Sequence, residues 1–226
     1  MNKTFTAAIA ITAVAGLASA AIETAPAGYV DKAGVTTGTL VCNPFLSFET
    51  SASPTLGDID GSNLANGDYI AVISAGGQMT KYYWHDDAWY TDKNAGTTAN
   101  GIALNRGDAI QFVGSDASHP LVFAGPLAED PVDAKTASVG YTIVGNAAPV
   151  AKPLSAFSIS GNYDYNKDYV NLKGTKYIYK NGHWLVRDTG ANADDVSVAE
   201  GDGLFLYCQR RTRGSTLSAT ITVPSL

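Results

Sequence analysis

Thr175-Lys176-Tyr177-Ile178-Tyr179-Lys180-Asn181-Gly182-His183-Trp184 reads as a two-stranded hairpin. Asn-Gly between aromatic-rich runs is a strong hairpin signal, because both central residues of a type I′ turn need positive φ. The two-residue loop sets Lys180 opposite His183, Tyr179 opposite Trp184, Ile178 opposite Leu185 and Tyr177 opposite Val186. About 95 positions earlier stands Thr80-Lys81-Tyr82-Tyr83-Trp84-His85-Asp86-Asp87-Ala88-Trp89. Here Trp84 faces Trp89 and Tyr83 faces Tyr90 across Asp86-Asp87.

The correspondence extends outward. Ile102 to Asp108 reads against Val196 to Asp202 after a slip of one residue. Thr39-Leu40-Val41-Cys42-Asn43 answers Thr142-Ile143-Val144-Gly145-Asn146, and Asp68-Tyr69-Ile70 answers Asp168-Tyr169-Val170. A repeat of this length identifies the folding unit. The expectation is an all-β protein of two tandem units, roughly 90 residues each, packed as a pseudo-symmetric sandwich or barrel-like assembly. The first unit spans 28–127, a linker 128–136 and the second unit 137–226. Charged residues make up only 16%, Gly, Thr, Ser and Tyr are plentiful, and short runs alternate in polarity. Gly107-Asp108 and Gly201-Asp202 each enter an apolar strand through a turn.

Residues 1–20 read as a secretory signal. Lys3 is followed by the apolar run Ala7 to Leu17 and the A-x-A site Ala18-Ser19-Ala20. The expectation is an exported protein, secreted or associated with the cell envelope, with no membrane span after cleavage. A net charge of -6 and a single basic cluster, Arg210-Arg211-Thr212-Arg213, point away from nucleic acid. Export permits a disulfide between Cys42 and Cys208. It would join an early strand of the first unit to a late strand of the second. Two buried thiols are the alternative.

Aromatic side chains carry the main candidate site. Trp84, Trp89, Tyr179 and Trp184 suit a stacking platform for a glycan if exposed, and Trp89 and Trp184 suit the two cores if buried. Asp58-Ile59-Asp60-Gly61-Ser62-Asn63 and Asn162 to Asp168 alternate oxygen donors as calcium loops do. Both lack the closing Glu, so they read as Asx-rich turns. His85, His119 and His183 stand singly near turns. No catalytic, cofactor-binding or metal-binding residue is assigned.

Gly28-Tyr29-Val30, Leu40 to Phe45, the Trp89 hairpin, Leu104 to Phe112 and Leu121-Val122-Phe123-Ala124-Gly125 follow one another in a distinctive order. The chain thereby resembles an uncharacterised family of exported, Gly/aromatic-rich β-proteins of the Verrucomicrobia/Lentisphaerae group. It departs from that pattern at Asn105-Arg106-Gly107-Asp108, where Pro and Glu flank the Gly. The resemblance implies an exported β-protein and carries no activity. Together these readings point to a non-catalytic structural or adhesion component of the envelope or extracellular matrix, partnered by itself or by other envelope proteins. A carbohydrate-binding module that takes polysaccharide is the alternative.

Overall fold

A computed structural model describes residues 27–32, 38–45, 54–73, 78–115, 118–126, 135–137, 140–148, 150–209 and 219–222. The signal segment, Arg210 to Arg213 and residues 128–134 of the expected linker lie outside them. The first half contributes β1 (Ala27–Lys32), β2 (Thr39–Cys42), β3 (Tyr69–Ile73), β4 (Met79–His85), β5 (Ala88–Tyr90), β6 (Ala109–Val113) and β7 (Leu121–Pro126). The second contributes β8 (Lys135–Ala137), β9 (Gly140–Gly145), β10 (Lys152–Pro153), β11 (Ser158–Gly161), β12 (Tyr169–Leu172), β13 (Thr175–Lys180), β14 (His183–Val186), β15 (Ser197–Val198), β16 (Gly203–Cys208) and β17 (Ala219–Thr222). β8 overlaps the last two residues of the expected linker.

The chain is all-β, with two antiparallel five-stranded sheets among the described residues. One runs β2-β6-β3-β4-β5 and the other β9-β16-β12-β13-β14, the same order when strands are matched along the chain. Each is faced by a smaller sheet. In the second half this is β11-β17-β8; in the first it is β1-β7, extended by a bridge from Asp60 to Val122. Each half therefore buries its own core. Ile70, Trp89, Ile110 and Phe112 meet Leu121 and Phe123 in one. Val170, Trp184, Leu204 and Leu206 meet Ile159 and Ile221 in the other.

The hairpins follow the expected registers. Tyr179 pairs with Trp184 and Lys180 with His183, while Trp84 pairs with Trp89 and Tyr83 with Tyr90. Asn181 and Gly182 have φ of 55° and 84°, and Asp86 and Asp87 have φ of 43° and 62°. The paired aspartates tolerate this because Asn66 brackets Asp86, donating to its carboxylate at 3.1 Å and accepting its N–H at 3.0 Å.

Two buried polar side chains in each half tie loops to strands in the same way. Asp68 accepts the N–H groups of Ala65 and Ser115, at 2.9 and 2.7 Å; Asp168 accepts those of Asp164 and Gln209, at 2.8 and 2.9 Å. Asn43 donates to the Leu104 carbonyl at 2.8 Å, and Asn146 to the Val198 carbonyl at 3.0 Å. A buried polar group without such partners would cost about 1–3 kcal/mol, so these four are integral to the fold.

The halves meet where β2 and β6 lie against β9 and β16. The Cys42 N–H donates to the Gly201 carbonyl at 2.8 Å, and Val41 bridges Asp202. A Cβ on Gly145 would stand 2.1 Å from that of Cys42, and one on Gly203 would stand 2.7 Å from that of Leu40. Glycine is required at both positions by this approach. Gly145 and Cys42 are the positions that the sequence reading sets against each other, and here they touch.

The expected Cys42–Cys208 disulfide is absent. Both residues are buried, and neither is in a disulfide. Cys42 abuts Gly145, whereas Cys208 pairs with Gly140 at the other end of β9. At roughly 3.3 Å per residue that separation far exceeds the ~7 Å Cα spacing a disulfide can span.

Candidate functional site

Of the four residues of the expected aromatic platform, the three tryptophans are buried and Tyr179 is half-buried. Trp89 and Trp184 are 0% exposed and Trp84 is 7% exposed. The hairpin register explains this: Trp84 opposite Trp89 and Tyr179 opposite Trp184 occupy inward positions, with ring centroids 5.2 and 5.1 Å apart. Trp184 donates its indole N–H to the Phe157 carbonyl at 2.9 Å. The Trp89 indole N–H has no such partner among the described residues. Trp84 alone reaches a cavity, of about 600 Å³, where it stands with Asp58, Asp60, Gly61 and Asp87.

The oxygen-rich loops are turn structure. Asp58 accepts the Thr55 N–H and hydroxyl at 2.8 and 2.7 Å, Asp60 accepts the Ser62 N–H at 2.9 Å, and Asp164 accepts the Asn166 N–H at 3.1 Å. The histidines pair locally. His183 Nδ1 lies 2.8 Å from Asp194, whose carboxyl is held down at about 2 by the Trp184 N–H, His183 and Asn192. His119 Nδ1 lies 2.8 Å from the Ser115 hydroxyl and 4.0 Å from Asp68. That is not a Ser-His-Asp triad. One ring nitrogen faces both partners, whereas the mechanism needs opposite nitrogens for serine and aspartate.

The outward face of the second five-stranded sheet is chemically richer. Tyr141, Tyr207 and Tyr169 stand in register on the adjacent strands β9, β16 and β12. The Tyr141 and Tyr207 rings are 4.8 Å apart, the Tyr207 and Tyr169 rings 4.9 Å apart, and Phe205 meets Tyr141 edge-on at 5.9 Å. Tyr141 is 42% exposed among the described residues. Its hydroxyl lies 3.3 Å from that of Tyr169; this hydrogen bond, with burial, raises the Tyr141 pKa. The Lys176 ammonium lies 5.1 Å and the Arg187 guanidinium 4.9 Å from the Tyr169 ring centre. The Tyr169 ring is thus engaged by neighbours and offers its hydroxyl, while Tyr141 offers open ring surface.

This face leads at Phe205 into a cleft of about 580 Å³ between the halves, lined also by Thr39, Leu40, Asn171, Lys173 and Asp202. Asp202 is gripped from both halves, by Lys32 at 2.7 Å and Lys173 at 2.6 Å. Burial pushes its pKa up, but hydrogen bonds and charge from the two ammonium groups outweigh burial and hold it below the usual carboxylate value. The first half presents a shorter version of the face, with Tyr69 and Tyr83 rings 5.5 Å apart and the Lys81 ammonium 4.4 Å from the Tyr69 ring centre.

The tyrosine row escaped the sequence reading, although Tyr141-Thr142-Ile143-Val144 and Phe205-Leu206-Tyr207-Cys208 alternate visibly. Only the strand order brings the three rings together. Among the described residues no three His, Cys, Asp or Glu side chains gather as a metal-binding group, and no helix is long and apolar enough to cross a membrane. Comparisons with protein-family models, with curated proteins and with solved structures find no match for this chain.

Proposed function

We propose that this is an exported, non-catalytic binding component of the cell envelope or extracellular matrix. It holds polysaccharide on the outward tyrosine face of the second sheet. One observation carries this reading: Tyr141, Tyr207 and Tyr169 line three adjacent strands on the outward face, beside a cleft, with Tyr141 exposed among the described residues. A tyrosine has an apolar body and a polar tip, which suits the C–H faces and hydroxyls of a sugar ring. The signal-like segment with Lys3 and Ala18-Ser19-Ala20 supports export.

Self-assembly through sheet edges has less support. The Ala99 N–H bonds the Trp89 carbonyl on β5, and the Ala193 N–H bonds the Trp184 carbonyl on β14, so following chain covers both outer strands. The shared strand order and the paired roles of Asp68 and Asp168 support descent of both halves from one copied unit. The resemblance to exported Gly/aromatic-rich β-proteins agrees with this setting.

Affinity electrophoresis of the mature protein through a panel of soluble plant, algal and bacterial polysaccharides tests the proposal. At least one polymer is expected to retard the protein. Removing some 55 Å² of apolar ring contact by Tyr141→Ala should weaken that binding by about tenfold. Retardation unchanged by both Tyr141→Ala and Tyr207→Ala would exclude this face.

A further inference from the structure

We infer that the polysaccharide is anionic, carrying carboxylate or sulfate groups along its length; this rests on the binding face proposed above. Alternation along the five strands identifies the outward positions. β9 and β16 present Tyr141, Phe205 and Tyr207, and β12 presents Tyr169 and Asn171; Ile143 shares their alternation but is buried. β13 presents Lys176, Ile178 and Lys180, and β14 presents His183 and Leu185, with Arg187 following on the same face. The charged side chains at these positions are Lys176, Lys180 and Arg187, and the Asp194 carboxylate meets the face at His183. None of the outward strand positions there is Asp or Glu.

The cations stand beside the rings. The Lys176 and Arg187 charges lie 5.1 and 4.9 Å from the centre of the Tyr169 ring, whose hydroxyl pairs with that of Tyr141. Arg187 also reaches the Asn166 carbonyl at 3.5 Å, a marginal contact that leaves most of its N–H donors for a ligand. Tyr141 receives the apolar face of a sugar ring. The two hydroxyls and the Lys176 and Arg187 donors receive its acidic substituent. Guanidinium suits a carboxylate or sulfate because its donors match two oxygens at once.

Matched polymer pairs test this by separating charge from backbone. The probes are polygalacturonate against its fully methyl-esterified form, and dextran sulfate against dextran, measured by affinity electrophoresis and calorimetry on the mature protein. The expected result is at least tenfold tighter binding of one acidic polymer than of its neutral counterpart, with affinity falling as salt rises because exposed charges are screened. Lys176→Gln and Arg187→Gln should each cost threefold or more, while Lys93→Gln, on an exposed turn of the first half, should change nothing. These are surface changes, and an unaltered circular dichroism spectrum establishes that each variant is folded. Equal binding of acidic and neutral partners, weakened by Tyr141→Ala, would overturn the charge inference and leave the face standing. Acidic-polymer binding untouched by Tyr141→Ala, Lys176→Gln and Arg187→Gln would overturn both. Failure to bind either acidic polymer would overturn the charge inference.

Discussion

Trp89 and Trp184 occupy matching places in the two cores, and both are fully buried, yet their replacement by Phe should not cost the same. Each change removes one ring's worth of buried volume, worth roughly 1–2 kcal/mol where the surroundings do not collapse. Trp184→Phe also deletes the 2.9 Å bond from its indole N–H to the Phe157 carbonyl and strands that carbonyl in the core. An unsatisfied buried acceptor adds about 1–3 kcal/mol. Trp89→Phe deletes a buried donor that has no partner among the described residues, and so relieves a desolvation penalty of about 1–2 kcal/mol. The two variants should therefore differ by about 2 kcal/mol or more, with Trp184→Phe the less stable. Urea unfolding followed by far-ultraviolet circular dichroism measures this without relying on the altered fluorophores. Equal losses within about 0.5 kcal/mol, or a larger loss for Trp89→Phe, would refute the hydrogen-bond argument.

The junction between halves gives two further expectations. Gly145→Ala places a Cβ 2.1 Å from that of Cys42 and 2.9 Å from the Asp202 carbonyl oxygen, so it should destabilise by roughly 1–3 kcal/mol. Gly101→Ala, with nothing within 4 Å, should lie within about 0.5 kcal/mol of the parent in the same unfolding assay. Asp202 has a lowered folded pKa, because its two lysine partners outweigh the opposing effect of burial. A depressed carboxylate stabilises above its unfolded pKa and loses that contribution as pH falls through the folded value. The stability advantage of the parent over Asp202→Asn should thus shrink steadily from neutral pH to about pH 3; an advantage that grows on acidification would contradict the assignment.

The hairpins were legible because a two-residue turn with positive φ leaves one register, which is why Tyr179 against Trp184 and Trp84 against Trp89 could be read from the chain. The repeated Asp68 and Asp168 were visible as letters, but their work on the N–H groups of Ser115 and Gln209 depends on strands more than 40 residues away. Alternation divides each strand into two faces without saying which is covered. That is decided by the small sheets around β7 and β17, so the expected platform of Trp84, Trp89, Tyr179 and Trp184 faced the core. The same gap hid the true outward row, whose members Tyr141, Tyr169 and Tyr207 come from three separate stretches of sequence. Cysteine parity permitted a disulfide, but only the placement of β2 against the Gly145 end of β9 revealed the distance between Cys42 and Cys208.

Amide and side-chain chemical-shift mapping of the isotopically labelled mature protein, titrated with oligogalacturonate, tests the central claim most directly. The account predicts shifts concentrated at Tyr141, Phe205, Tyr207, Asn171, Lys176 and Arg187, with the indole signals of Trp89 and Trp184 unmoved. Shifts centred instead on the acidic cavity around Asp58, Asp60 and Trp84, with the tyrosine row silent, would contradict it.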